Sequence, residues 1–501
     1  MADQILRDLP KFLPEMALTV TLLAAIIVDL VSHRSAFASS ITALSGLLVT
    51  GALVVGQWGI HTSIFSNMLA VDPFALFFKL VILLSAVVVV LFSMQSEELN
   101  ARRRPMGEYY AIILGLTLGL VLMAGANNLL MMYISLELSS LSSYILAGYT
   151  REAPDSSEAS LKYVIYGAFS SGLMLYGISI LYGLTGSLDL ATINQVLPVV
   201  VAHGGSAVFA LIIAGVLALA GFGYKISAVP FHFWTPDVYE GAPITVTALL
   251  SVASKAGGFA MLIRFLKVTF ADPATFVAST GAWSMLQGFD WRLIIAILSV
   301  LTMTVGNVVA IWQNNLKRLL AYSSIAHAGY LLMGVVVMNN AGLAAIMLYF
   351  AVYLFMNLGG FFVVMVIAEK IGSEDIEDYK GLGLRAPLFA VCLGIFMVSL
   401  TGLPPTAGFI GKLYLFAALI NSGWIWLAIV GAINSVVALY YYARVLKFMF
   451  IDTAEQTTPI RFGLLQKTVM LALVIPILLL GLYFTPLANL AQASVRIFGT
   501  P

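Results

Sequence analysis

The chain has 501 residues, 61% of them hydrophobic and only 10% charged, with a mean hydropathy of +0.99. Water-soluble domains carry roughly 25% charged residues, so lipid must solvate most of this chain. A net charge of +1 gives no field for nucleic acid, and the single cysteine, Cys392, excludes a disulfide framework or thiolate metal cage within the chain.

A membrane helix needs about 20 mostly apolar residues. Fourteen such segments follow in chain order: 12–32, 37–57, 73–95, 107–126, 127–149, 159–186, 206–229, 243–266, 290–313, 317–338, 341–369, 386–421, 423–450 and 466–492. Met1 to Lys11 mixes both charge signs and has no cleavage pattern after it, so the first run reads as a retained span. The apolar runs are continuous rather than alternating, which argues against a β-barrel. No polar stretch is long enough for a soluble domain. The predicted fold is therefore an all-α polytopic membrane protein of about fourteen transmembrane helices.

An even number of spans puts both termini on one side. Most loop lysines and arginines, among them Arg34, Arg102, Arg103, Arg104, Arg151 and Arg444, follow odd-numbered spans. Arg7, Lys11, Arg264, Lys267, Arg292 and Arg496 fall on the other side, which places the termini outside. Five basic residues remain within spans: Lys79, Lys162, Lys225, Lys255 and Lys412. Lys79 and Glu15 read as single charges on outer helices, contacting a neighbouring subunit or snorkelling. The acidic stretch from Glu369 to Lys380 reads as a solvated connection, with a docking role as the alternative.

Residues 206–242 and 386–421 are each too long for one crossing, because about 36 residues of helix run roughly 54 Å against a core of about 30 Å. Proline removes a helical hydrogen bond and clashes with the preceding turn. Pro230 lies shortly after Lys225, and Pro404 and Pro405 lie shortly before Lys412, so both segments are predicted to be interrupted helices. The two share Ala-Gly-Phe-x-x-Lys at an offset of 187, from Lys225 to Lys412. An offset of 186 pairs Tyr144 with Tyr330, Tyr163 with Tyr349, and Gly186-Ser187-x-Asp189 with Gly372-Ser373-x-Asp375. A five-span repeat enters the membrane from opposite sides in its two copies, giving two inverted five-helix repeats, each containing a broken helix. The expected organisation is three N-terminal helices over 1–106, repeats over 107–270 and 290–450, and a C-terminal helix over 466–501.

Charge inside a bilayer is costly and marks function unless it is paired. Glu137, Lys255 and His327 are central in their spans by count, and Lys225 and Lys412 lie at the breaks. Burial and a movable partner let lysine and glutamate gain or lose a proton, and histidine does so near neutrality unaided. These five could form a polar file across the protein. Each has a structural alternative: a static ion pair for Glu137 and the lysines, a hydrogen-bonded core residue for His327, a simple kink for each break. His232, in Phe231-His232-Phe233-Trp234, equally suits an interfacial belt, and Lys162 equally suits snorkelling. Phosphate-loop and dinucleotide motifs are absent, and the histidines lack metal-ligand spacing.

Three stretches resemble signatures of the antiporter-like subunits of respiratory complex I, the proton-pumping NADH:quinone oxidoreductase. They are Pro230 to Pro243 (PFHFWTPDVYEGAP), Leu136 to Tyr144 (LELSSLSSY) and Gly402 to Phe409 (GLPPTAGF). The resemblance covers essentially the whole chain and is greatest to the N type. The M type usually carries glutamate where Lys412 stands, and the L type extends into a long lateral helix. The resemblance implies proton translocation in the membrane arm of a bacterial inner-membrane complex, with termini on the periplasmic side. Glu137 and Lys225 would form the coupled pair of a first half-channel, with Lys162 modulating Glu137. Lys255 and His327, helped by His232, would form a central relay, and Lys412 the exit-side residue. It further implies M-type and small K-type neighbours, and NADH, FMN, iron–sulfur clusters and quinone handled by other subunits, with no cofactor in this chain. A subunit of an Mrp-type cation/proton antiporter or a membrane-bound hydrogenase shares the same helices and is the alternative.

Overall fold

A computed structural model describes residues 2–32, 34–100, 106–277, 281–285, 290–453 and 458–500; Arg102, Arg103 and Arg104 lie outside them. The chain forms a helical bundle. After a short N-terminal helix, Ala2–Asp8, α1 (Leu13–Val31) is followed by α2 (Ala36–Gly56). A small antiparallel hairpin of β1 (Thr62–Ile64) and β2 (Leu69–Val71) leads into α3 (Pro73–Ser93). Then come α4 (Met106–Gly125), α5 (Leu129–Ala147), α6 (Pro154–Thr185) and α7 (Gly205–Ile226). A short helix, α8 (Trp234–Gly241), precedes α9 (Ile244–Phe270), α10 (Trp291–Ala310), α11 (Leu316–Val336) and α12 (Asn340–Ile371). The chain closes with α13 (Pro387–Thr401), α14 (Ala407–Asn421), α15 (Ile425–Phe450) and α16 (Leu464–Leu482).

Thirteen of the described helices are long and apolar enough to cross a membrane. The fourteenth crossing is the pair α13 and α14, each shorter than a span and joined through Pro404 and Pro405. Helices α4, α9, α11 and α12 are almost wholly buried and form the centre, while α1, α2, α6, α15 and α16 turn much of their surface outward. Polar side chains cap the ends, as the membrane demands of backbone groups that lack helical partners. Asp72 accepts from the amide of Ala75 at the start of α3, and Asn128 and Asn315 do the same for α5 and α11.

Helices α6 and α12 each run 32 residues, and both stop at a glycine in the left-handed region, Gly186 at φ 69° and Gly372 at φ 76°. The following loops bond alike. Asp189 N–H donates to Ser187 Oγ and Asp375 N–H to Ser373 Oγ, both at 3.1 Å. Asn128 bridges to Asp189, and Asn315 to Asp375, in the same antiparallel fashion.

Both long segments are interrupted, as expected, but at different places relative to their lysines. The first break follows Lys225: α7 ends at Ile226, and Ser227 takes φ 62°. Trp234 Nε1 caps the Tyr224 carbonyl at 3.1 Å, and Val229 N–H reaches Thr302 Oγ1 at 3.0 Å. The second break precedes Lys412: α13 ends at Thr401, Gly402 takes φ 87°, and Lys412 lies in α14 beyond it. A Cβ on Gly402 would sit 2.7 Å from Lys412 Cδ, so the lysine passes where only glycine leaves room. The last span is also shorter than expected, because Thr485–Ala493 forms a separate turn of helix after Leu482.

Four charge assignments change. Lys79 and Glu15 are neither snorkelling nor facing a neighbour: they pair with each other at 2.6 Å, and each is about 3% exposed. Arg264 and Lys267 are not loop residues, since α9 continues to Phe270 and buries both. Arg264 forms a two-pronged pair with Asp72 at 2.8 and 3.0 Å, and Asp72 also accepts from the amide of Phe498 at 2.8 Å. The stretch from Glu369 to Lys380 is docked rather than free. Glu374 pairs with Lys317 at 2.8 Å, Lys370 with Glu97 at 2.5 Å, and Ile376 and Tyr379 are buried.

Breaking a buried pair leaves one uncompensated charge and costs about 3–5 kcal/mol, whereas replacing both partners by apolar groups is often neutral. We therefore expect Arg264→Ala to lower the thermal stability of the detergent-solubilised protein far more than Arg264→Leu combined with Asp72→Leu, as read by a melting curve. Equal losses would show that the pair itself contributes the stability.

Candidate functional site

The site starts on α5, where Glu137 and Ser140 lie one turn apart on a common face. Lys225, in the last turn of α7 and 1% exposed, donates to Ser140 Oγ at 3.3 Å. Glu137, one turn from that serine, forms no ion pair with Lys225. Among the described residues, the buried Oε1 of Glu137 has no hydrogen-bond partner.

Helix α9 packs against α7 through Gly258, one turn beyond Lys255. A Cβ there would lie 3.3 Å from Lys225 Cγ, so the stem of Lys225 lies across the glycine. A widened π turn, Leu250–Ser254, directly precedes Lys255. Lys255 is buried and donates to Ser324, at 2.7 Å to the carbonyl and 3.0 Å to the hydroxyl. Ser324 is one turn from His327 on α11. His327 Nδ1 lies 2.6 Å from the hydroxyl of Tyr349, and Nε2 lies 3.5 Å from that of Tyr442.

Lys412 donates to the Thr401 carbonyl at 2.7 Å and to Ser435 Oγ at 3.3 Å, and its ammonium stands 4.5 Å above the ring of Tyr330. The Thr401 carbonyl is the open end of α13. Lys225 and Lys412 thus both lie at the negative C-terminal end of an interrupted helix, one on its own helix and one across the break. The break falls on opposite sides of the two lysines and the electrostatic outcome is the same.

Lys225, Lys255 and Lys412 share a further property. None has a carboxylate within ion-pair distance among the described residues, and their partners are hydroxyls and carbonyls. Those neutral oxygens accept from an ammonium and, more weakly, from the N–H groups of an amine. A lysine held this way can exist in either protonation state without losing its partners. Lys79 and Arg264, by contrast, are locked to carboxylates.

Two expected site residues stand apart. His232 lies in the first break, 6% exposed and against the ring of Phe233, with its Nδ1 unpartnered among the described residues. No hydrogen bond among the described residues joins it to the lysines. Lys162 does not reach Glu137. It pairs with Asp237 at 2.5 Å and Glu158 at 2.8 Å, in a cleft of about 270 Å³ that Asp155, Glu240 and Arg318 also line. Arg318 of α11 holds the other oxygen of Asp237 at 2.8 Å and also Glu240 at 2.5 Å, so α6, α8 and α11 are joined through one carboxylate.

Sequence reasoning passed over the neutral members of the site: Ser140, Ser324, Tyr330, Tyr349, Ser435 and Tyr442. A signal existed in spans otherwise apolar. Ser140 follows Glu137 by three residues, Ser324 precedes His327 by three, and Tyr330 follows it by three, so each hydroxyl shares a helix face with a titratable group.

Asp237 lies outside the spans. Burial pushes its carboxyl up, but hydrogen bonds from Lys162 and Arg318 outweigh this and hold it below the usual carboxylate range. A depressed folded value gives stability that is full above the unfolded value and is lost as pH falls through the folded one. The α6–α8–α11 clasp should therefore hold at neutral pH and open in acid below the usual carboxylate range. Hydrogen exchange of residues 234–241 measured against pH should show that opening, and Asp237→Asn should abolish its pH dependence.

Residues 126–438 match the family described as NADH:quinone oxidoreductase/Mrp antiporter, TM. The chain is 48% identical to NADH-quinone oxidoreductase subunit N 2 of Chloroherpeton thalassium, over 97% of this chain and 94% of that one. It is 45% identical to NADH-quinone oxidoreductase subunit N of Chlorobium chlorochromatii, over 97% of this chain and 95% of that one. Among solved structures, a chain of respiratory complex I from Thermus thermophilus superposes with a TM-score of 0.76 at 30% identity, covering 96% of this chain and 99% of that one. A chain of the Mrp complex from Dietzia sp. shares the fold at a TM-score of 0.80 and 21% identity, covering 97% of each.

Proposed function

The chain belongs to the NADH-quinone oxidoreductase subunit N family, and from that premise we propose that its buried polar file is the path by which it moves protons across the membrane. It is a multi-pass membrane subunit of a bacterial complex I and works beside other membrane-arm subunits. In this reading, NADH oxidation and quinone reduction occur elsewhere in the complex, at FMN and iron–sulfur clusters held by other chains. The neighbours are the M-type subunit and the small K-type subunit, the membrane is the cell inner membrane, and both termini face the periplasm.

The observation that carries the proposal is the set of three deep lysines with neutral partners. A proton arriving at Lys225, Lys255 or Lys412 finds an amine that can accept it, and a proton leaving keeps the hydrogen bonds intact. Glu137, with a buried oxygen unpartnered among the described residues, is the carboxylate at the start of the file. His327, between Lys255 and Lys412, can receive at one ring nitrogen and release at the other. His232 lies to the side of the file, at the first break. Lys162 and its clasp lie at the water-facing mouth.

The shared bonding of the loops after α6 and α12 supports an organisation of two inverted units, 107–270 and 290–450. Three helices over 1–106 precede them, and the helix over 466–501 follows. An Mrp-type antiporter shares the fold, but the 48% identity to a subunit N relative over nearly the whole chain favours the complex I reading.

In the assembled complex, Glu137→Ala and Lys225→Ala should each sharply reduce proton translocation per NADH oxidised, measured in vesicles with a pH-sensitive dye. Undiminished pumping in both variants would leave the buried charges with a structural role only.

A further inference from the structure

His327 and Lys412 are consecutive titratable members of the file, yet they do not touch. The side chain on which both converge is Tyr330. It lies one turn from His327 on α11, with ring centroids 5.8 Å apart. Its ring face receives the Lys412 ammonium at 4.5 Å. Its hydroxyl accepts from Ser435 Oγ at 3.3 Å, and Ser435 Oγ itself accepts from Lys412 Nζ at 3.3 Å. Asn307 Nδ2 donates to the same phenol oxygen at 3.3 Å, while Asn307 Oδ1 accepts from Tyr441 at 3.0 Å. Tyr441 in turn lies against Tyr442, ring centroids 4.3 Å apart, and the hydroxyl of Tyr442 is the one facing His327 Nε2. A run of polar side chains thus leads from the imidazole around to the ammonium through α15 and α10, with Tyr330 and Ser435 as its last members before Lys412.

We infer that Tyr330 is a further residue of proton transfer, in which the ring positions and favours the Lys412 ammonium while the hydroxyl, with Ser435, passes the proton to or from it. This rests on the function proposed above. The step balances without forming a charged phenol. The Ser435 hydroxyl accepts a proton from the ammonium and gives its own to the Tyr330 oxygen. In the same event Tyr330 gives its own proton to a water molecule on its far side, the acceptor this step requires, so both hydroxyls end as they began and Lys412 ends as an amine. Run in reverse, the same exchange charges the amine. A cation over an aromatic face is held by the ring quadrupole, and the attraction is strongest where water is excluded.

The first half of the chain has a related grouping of the same residue types. Lys225 also donates to a serine, Ser140, at the same 3.3 Å. Tyr144, the residue 186 positions before Tyr330, follows Ser140 by one turn and receives the hydroxyl of Tyr224 at 3.3 Å. The lysine–serine–tyrosine grouping therefore occurs beside each broken helix, although the break falls on opposite sides of the two lysines.

The groups that meet Lys412 are Tyr330 from α11, the Thr401 carbonyl from α13 and Ser435 from α15, with His327 one turn from Tyr330; no carboxylate lies within ion-pair distance of it in the described residues. Removing the ring and removing the hydroxyl should consequently have different signatures. The test uses the whole complex reconstituted in vesicles, with Tyr330→Phe, Tyr330→Leu and Lys412→Ala compared for assembly, for protons moved per NADH oxidised, and for the pH dependence of pumping. Tyr330→Phe keeps the ring and should slow translocation by roughly tenfold or more, the range of a lost proton-transfer group, without moving the pH profile. Tyr330→Leu should add a displacement of the alkaline limb toward lower pH. If Tyr330→Phe pumps at the parental rate while Lys412→Ala does not, the inference about Tyr330 falls and the wider function stands. If Lys412→Ala also pumps fully, the wider function falls with it. Matching pH profiles for the Phe and Leu variants would remove the role assigned to the ring.

Discussion

A bilayer interior offers no water to a stranded polar group, so every buried ammonium must find its partners inside the protein. This chain answers that constraint in two ways. Lys79 and Arg264 are tied to carboxylates, and the charge on each is fixed. Lys225, Lys255 and Lys412 are tied to hydroxyls and carbonyls, and their charge is free to change. The same chemical requirement thus divides these five buried basic residues into fasteners and, in the proposed function, carriers.

The interruptions in the helices serve the second group. A regular helix engages its own carbonyls, so a side chain at mid-depth must share one, as Lys255 shares that of Ser324, unless the helix is interrupted. Breaking α13 at Thr401 frees a carbonyl for Lys412, and ending α7 at Ile226 brings its negative terminus beside Lys225. The cost of each break falls on the surrounding polar side chains: Thr302, Trp234, Ser227 and Thr235 around the first, Ser399 around the second. The fasteners hold the surrounding frame. Asp72 alone binds α9, the start of α3 and the amide of Phe498, which keeps the terminal segment against the centre of the bundle.

Much of this was legible in the sequence. Apolar runs of the right length gave the spans, and prolines near two lysines gave the breaks. Ionisable residues in the middle of apolar runs gave the candidate file. What remained hidden depended on which faces meet. Glu15 and Lys79 lie far apart in the chain, and only the packing of α1 on α3 makes them a pair. Arg264 looked like a loop residue because a buried partner, Asp72, lets α9 carry a charge where an isolated helix would end. Lys162 looked like a partner of Glu137, but the depth of α6 places it with Asp237 and Arg318. The hydroxyls of Ser140, Ser324 and Tyr330 were invisible for a different reason: serine and tyrosine are common in helices, and only their spacing from a titratable residue sets them apart.

Hydroxyl and carbonyl partners have one more consequence. Because they stay bonded to a loaded or an unloaded lysine, these partners by themselves set no direction of travel along the proposed path. Left alone, such a conduit would leak backward as readily as forward, like a wire without a rectifier. Any one-way behaviour must come from groups whose grip depends on charge, and near this conduit those are Glu137 at one end and the Asp237 clasp at the mouth. The valve and the wire are different parts of the molecule.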